Sequence, residues 1–338
     1  MAVAKCLVCW RALLKTLGLL SIAAHGFAAD KDTRIVADSV YLQPQRLVAI
    51  EKGRRLNLYC IGKGSPTVVF DSGLGDSMMT WALTQPAIAT ETRTCSYDRA
   101  GLGFSDPASE PRTSANMVED LQRLLRAAHL KPPYVLVGHS LGGMNIKLYA
   151  ELHLSEVAGL VFVDPAHEDF GKRGFESDPE AARQYARYLE FLHECLKAKP
   201  TDFVEGSSLQ RGCATLWNSE RFSDAINAVQ RRRLTEPGYM GAWVSERENA
   251  LSVSSDQLRA ARRSLGDIPL IVLSQEEREG ENPLKTELHT DIAKMSTSGV
   301  IRAVRNSGHC IQLDQPQEVN DAVLEVVHAV RTNRSPHP

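Results

Sequence analysis

Tyr134-Val135-Leu136-Val137-Gly138-His139-Ser140-Leu141-Gly142-Gly143 reads as a buried strand, a sharp turn and the first residues of a helix. The apolar run Tyr134 to Gly138 suits a strand covered on both faces, and the segment from Leu141 to about Leu152 suits the helix that follows. Between them stands Gly-x-Ser-x-Gly, which in strand-turn-helix context presents a serine hydroxyl on a tight turn. The flanking positions crowd against neighbouring backbone, so only small residues fit there. A helix beginning at the serine also aims backbone N–H groups and its positive dipole end at developing negative charge. Taken without that context the motif occurs by chance in loops. With it, Ser140 is the candidate nucleophile.

Outward from this segment, short β-like runs alternate with helical patterns. The runs are 47–50, 56–61, 67–70, 94–97, 134–138, 160–163, 269–273 and 300–304. Ser114 to Leu130 carries Met117, Leu121, Leu124, Leu125 and Ala128 on one helical face, with Ser114 as the expected N-cap and Pro132 as the expected stop. Val319, Ala322, Val323, Val326 and Val327 repeat the pattern in the last helix. Continuous apolar strands separated by amphipathic helices predict an α/β fold, a mostly parallel sheet of eight strands flanked by helices. Residues 165–266 break the rhythm: they are rich in Arg and Glu and show helical spacing, with Tyr185, Tyr188, Leu189 and Leu192 as one stripe. They are expected to form a helical cap inserted into a core of 29–164 and 267–338. Arg231-Arg232-Arg233 within the cap reads as a solvated helix face.

The first 28 residues are expected to leave. Lys5, Arg11 and Lys15 precede any acid, Leu17 to Ala24 is apolar, and Gly26 and Ala28 fit the small positions before a cleavage site. The apolar run is short of the ~20 residues of a membrane span, so export to the periplasm or medium is predicted, with no stable membrane anchor after processing. Cleavage removes three positive charges and takes the formal net charge from −2 to −5. The 39 basic and 41 acidic side chains give no electrostatic footprint for nucleic acid. At 338 residues, 43% of them hydrophobic, the chain buries a full core without help from dense disulfides. Five cysteines remain after cleavage (Cys60, Cys95, Cys195, Cys213 and Cys310), an odd number that leaves at least one thiol outside any bridge.

A serine needs a base. Among the ten histidines, His25 leaves with the leader, His337 lies in the tail, and His129 and His153 lie near helix ends. His139 sits in the elbow motif but its side chain is expected to point away from the serine. His309 follows the run 300–304 by a short loop and precedes the closing helix. That places it at the carboxyl edge of the sheet, where ligands bind in open α/β folds. Serine early and histidine late is also the chain order of this architecture.

With DSGLGDSMMTW (71–81), YDRAGLGFSD (97–106), GHSLGG (138–143), VDPAH (163–167) and SGHCIQLDQPQEV (307–319), the chain resembles the α/β-hydrolase superfamily. It is similar to the branch holding bacterial esterases, methylesterases, proline-iminopeptidase-like enzymes and cofactor-free haloperoxidase-like proteins. The likeness covers nearly all of the mature chain outside the cap. It implies an oxyanion hole from the N–H groups of Leu74 and Leu141, although Asp71-Ser72-Gly73 stands where many members have His-Gly. It implies a structural role for Asp98 and Arg99. The triad acid is expected at Asp164, one of two family positions; the other falls in Ser274-Gln275-Glu276-Glu277-Arg278, where Glu277 or Glu276 is the alternative. The family's sheet order sets the strand of Cys60 beside that of Cys95, so a bridge is expected there. Cys195 and Cys213 would clip the cap and leave Cys310 over. The implied activity is hydrolysis of a small or medium carboxylic ester through an acyl-enzyme, with no metal or organic cofactor. The alternatives are an aminopeptidase or amidase, for which Glu168, Asp169 and Glu176 are the available acids for a substrate amine, and a non-catalytic binding protein retaining the fold. Oligomeric state is left open.

Overall fold

The computed structural model describes residues 31–213, 219–234, 236–276 and 283–336. The proposed leader, residues 1–28, and Glu277 lie outside them.

All eight apolar runs are strands: β1 (Arg46–Glu51), β2 (Arg54–Ile61), β3 (Thr67–Asp71), β4 (Thr94–Tyr97), β5 (Tyr134–His139), β6 (Val157–Val163), β7 (Leu270–Gln275) and β8 (Gly299–Val304). They form one sheet in the order β1-β2-β4-β3-β5-β6-β7-β8. β2 is antiparallel to β1 and β4, and the remaining pairs are parallel. Period-two alternation splits the core into two layers. Val135 and Val137 of β5, with Val161, Val163, Ile271 and Leu273, meet Val319, Ala322, Val323, Val326 and Val327 of helix Pro316–Thr332. Leu136, Leu160, Phe162 and Val272 point the other way, onto Met117, Leu121 and Leu124 and the helix Leu141–Leu152. A fully buried aliphatic side chain contributes about 1.5–3 kcal/mol. Two such layers fix the register of β5 and hence the position of its carboxyl end.

Helix boundaries depart from the expectation at one element. Helix Ser114–Ala127 is capped by Thr113, whose side chain accepts from Asn116 N, one residue before the expected Ser114. Its end is set by His129 in the left-handed region (φ 60), ahead of Pro132. Thr and Ser cap by the same chemistry, so sequence alone does not choose between neighbours.

Among the described residues no strand lies between β6 and β7. That stretch carries helices Phe170–Ser177, Pro179–Lys197, Ser208–Cys213, Asp224–Leu234, Pro237–Ala250 and Val253–Ala261. The stripe at Tyr188, Leu189 and Leu192 packs on Met240, Trp243 and Val244, and Tyr185 Oη donates to Arg247 O at 2.9 Å. Leu258 of the last helix joins the layer beneath the sheet. Disulfides join Cys60 to Cys95, which face each other across β2 and β4, and Cys195 to Cys213. Cys310 takes part in neither. No helix among the described residues is long and apolar enough to cross a membrane.

Candidate active site

Strand order reverses between β3 and β5: β3 continues to β4 on one side, while β5 continues to β6, β7 and β8 on the other. The crevice at the carboxyl ends of such strands is where open α/β sheets bind ligands. Ser140 sits there, directly after β5, with φ 50 and ψ −117, as the N-cap residue of helix Leu141–Leu152. A non-glycine residue with positive φ is strained, and such strain persists only where surrounding structure enforces it. Here Ser140 N donates to Val163 O at 3.2 Å, and its carbonyl accepts from Gly143 N and Ala166 N, each at 2.9 Å. Gly142 explains one small residue of the motif, since a Cβ there would lie 2.2 Å from Asp71 O.

The structure brings His309 and Asp164 together. Asp164 follows β6, is 4% exposed and has φ 40. Its Oδ2 lies 2.6 Å from His309 Nδ1, and its Oδ1 accepts from Gln275 N at 2.9 Å, with Lys285 Nζ at 3.9 Å. Burial pushes the Asp164 carboxyl up, but the His309 hydrogen bond and the charges of His309 and Lys285 outweigh it, so the group is held well below the usual carboxylate range. Glu276, the alternative acid, is exposed and paired with Arg305 at 3.2 Å. No hydrogen bond joins Ser140 Oγ to His309 among the described residues. Hydroxyl–imidazole contacts of this type commonly tighten only around substrate.

Leu74 lies in the turn after β3, where Asp76 N donates to Gly73 O at 3.1 Å, and Leu141 opens the elbow helix. Among the described residues neither Leu74 N–H nor Leu141 N–H meets a protein acceptor. Two spare donors on the ends of adjacent strands are what an oxyanion site requires. The turn is anchored from below. Asp71 accepts from Tyr97 Oη, Arg99 Nη1 and Asn145 Nδ2, and Ser72 Oγ donates to Ser77 O while accepting from Trp81 Nε1. Asp71-Ser72-Gly73 thus replaces the more usual His-Gly by an ion-paired strand end. Asp98 is buried and accepts from Met78 N, Phe104 N and Asn57 Nδ2.

His139, set aside in the sequence as pointing away from the serine, packs against His309. Its ring is buried beside that of His309, centroids 4.7 Å apart, and its Nε2 lies 3.0 Å from His309 O. Burial, reinforced by the His309 charge, lowers its pKa to about 3. The imidazole is therefore neutral with its proton on Nε2, donating to the His309 carbonyl and fixing the loop that carries His309. The cue was present as the histidine inside the elbow motif, but its target is 170 residues away.

His167, Glu168 and Asp169 bring three donor atoms within 4.8 Å. Their negative charge is already matched by Lys147, Arg259 and Arg262, so the group is an ion network that runs from the buried Lys147–Glu168 pair to the half-exposed Arg262.

An alpha/beta hydrolase family model matches residues 68–322. An uncharacterised Bacillus subtilis protein, YqjL, is 29% identical over 269 residues, covering 78% of this chain and 85% of that one. An uncharacterised Schizosaccharomyces pombe protein is 41% identical over 230 residues, 68% of this chain; the chain spans about 40% of that relative's length. Among solved structures, a Pseudomonas aeruginosa protein assigned as an epoxide hydrolase superposes with a TM-score of 0.66 at 20% identity, covering 85% of this chain and 96% of that one. Sheet order, elbow and the matched 68–322 agree, and the chain belongs to the alpha/beta hydrolase family.

Proposed function

We propose that the chain is an exported serine hydrolase that cleaves a carboxylic ester through an acyl-enzyme on Ser140. The observation that carries this reading is the ionised, buried Asp164 held 2.6 Å from His309 Nδ1, beside a strained serine at a helix N-terminus. Asp164 fixes the tautomer with the proton on Nδ1, which leaves His309 Nε2 as the base. Ser140 Oγ attacks the ester carbonyl as Nε2 takes its proton. Leu74 and Leu141 N–H groups donate to the tetrahedral oxyanion. The imidazolium, stabilised by Asp164, protonates the departing alcohol. Water, deprotonated by His309, then attacks the acyl-enzyme, and Ser140 leaves with the proton returned to it.

Serine at the elbow favours acyl transfer over the aspartate attack of epoxide hydrolases. The ester reading is favoured over an aminopeptidase because Glu168 and Asp169 are committed to Lys147, Arg259 and Arg262, while Glu176 is exposed on its helix. The basic-apolar-small leader and the two disulfides support export to an oxidising compartment. A fluorophosphonate probe should label the wild type and not Ser140→Ala. A panel of nitrophenyl esters against aminoacyl amides should show turnover of the esters. Absence of labelling in well-folded wild type would defeat the reading, and faster amide cleavage would reassign it. Sequencing the native N-terminus should begin near Ala29; Met1 would overturn export.

A further inference from the structure

Helix Pro237–Ala250 carries Tyr239, Trp243 and Glu246 at i, i+4 and i+7, one face of the helix. All three converge on Gly75 in the turn after β3. Tyr239 Oη donates to Gly75 O at 2.7 Å, and Glu246 Oε2 accepts from Gly75 N at 2.8 Å. Gly75 has φ +70, and a Cβ there would lie 2.3 Å from Trp243 Cδ1, so the helix sits directly on bare backbone. Both polar groups of this peptide position are therefore satisfied by the inserted helix.

Glu246 makes a second grip. Its Oε1 lies 2.6 Å from Arg99 Nε and its Oε2 2.9 Å from Arg99 Nη2, a bidentate pair with both side chains buried. Arg99 turns its remaining donors on the same turn: Nη1 donates to Ser72 O at 2.6 Å and to Asp71 Oδ1 at 2.8 Å, and Nη2 to Gly73 O at 2.6 Å. Gly73 C=O and Leu74 N–H belong to one planar trans peptide, in which carbonyl and N–H point in opposite directions. Holding the carbonyl on Arg99 therefore aims the Leu74 N–H away from Arg99.

We propose that Glu246 and Arg99 are positioning residues that let the inserted helix set the Leu74 N–H of the oxyanion site, so that acyl transfer depends on docking of that helix. Neither residue touches the reacting atoms. The inference rests on the acyl-transfer reading above and adds to it a dependence of the chemical step on the insertion. It also changes the role of Arg99 from a purely structural one.

The test compares Glu246→Gln and Tyr239→Phe with wild type on nitrophenyl acetate, with active sites titrated by a fluorophosphonate and amide exchange followed by hydrogen–deuterium mass spectrometry. Gln keeps the shape but presents an amide donor to the Arg99 donors; Phe removes one bond to Gly75 and spares the ion pair. Loss of one oxyanion donor typically costs 10²–10³ in kcat. Glu246→Gln should lower kcat per titrated site by about 100-fold with KM within about threefold, and Tyr239→Phe by about tenfold, with faster exchange at Leu74 and Gly75. Wild-type kcat per titrated site in both variants would overturn the proposal, whatever happens to their melting temperatures. A folded wild type that neither labels nor turns over would defeat the acyl-transfer reading instead. In that case unchanged exchange at Leu74 and Gly75 would defeat the clamp as well, and accelerated exchange there would retain it.

Discussion

Replacing Asp164 by Asn should nearly abolish turnover while leaving the protein folded. The carboxylate is 4% exposed and holds His309 Nδ1 at 2.6 Å, so the charge centres of the carboxylate and an imidazolium stand about 4 Å apart. At an effective dielectric of about 20, suited to a site where the histidine side chain is 40% exposed, that pair is worth about 4 kcal/mol. At 1.36 kcal/mol per decade this is roughly 10³ in rate from lost imidazolium stabilisation alone. A second effect adds to it. Gln275 N donates to Asp164 Oδ1, so an asparagine would keep its carbonyl there and turn its NH₂ towards His309. That stabilises the tautomer with the proton on Nε2, which cannot accept the proton of Ser140. The combined expectation is a fall of 10³–10⁴ in kcat for a nitrophenyl ester, with KM changed by less than about threefold. Steady-state kinetics on variants matched by circular dichroism would measure it. A folded Asp164→Asn variant retaining more than a tenth of wild-type kcat would falsify the assignment. Glu276→Gln, which removes only an exposed pair with Arg305, should stay within twofold of wild type.

Three further outcomes follow from the packing. Gly142→Ala should yield little active protein, because its Cβ would meet Asp71 O at 2.2 Å and Ser72 O at 2.7 Å, so backbone on the neighbouring strand end would have to shift; labelling at wild-type level would contradict this. Cys195→Ala should lower stability by about 3 kcal/mol, the loop-closure value for a separation of this size, read from denaturant midpoints in the absence of reductant. Glu151 has neither carboxylate oxygen hydrogen-bonded and lies 3.8 Å from Lys147; burial raises its pKa to about 7. Its folded pKa exceeds the unfolded value, so the folded state binds the extra proton between about pH 4.5 and 7 and loses stability as pH rises through that window. Glu151→Gln should therefore raise the melting temperature at pH 8 and approach wild type at pH 4. Equal gains at both pH values would show that the carboxylate charge is not the cause.

Some of the site was legible in residues close together and some was not. Ser140 and His309 stood out because each is framed by local pattern, a strand run before it and a helical stripe after it. Asp164 rested on a family alternative, since Val163-Asp164-Pro165 by itself reads equally as a turn. What distinguishes it is the β6–β7–β8 adjacency that sets Gln275 N and His309 Nδ1 around one carboxylate. Glu246 gave no signal. It is one acid on a charged helix, and its partner Arg99 lies 147 residues earlier.

The sequence by itself determined the eight strands, the elbow and the two chain positions expected to exchange a proton, because apolar runs and glycine spacing are local properties of the chain. The tertiary structure set Asp164 against His309, made His139 neutral by burial, and placed a helix between β6 and β7 on the turn after β3. Those are contacts between residues far apart in the chain. They depend on the order in which strands lie in the sheet and on how burial trades desolvation against hydrogen bonds, and neither quantity is written in any short stretch of residues.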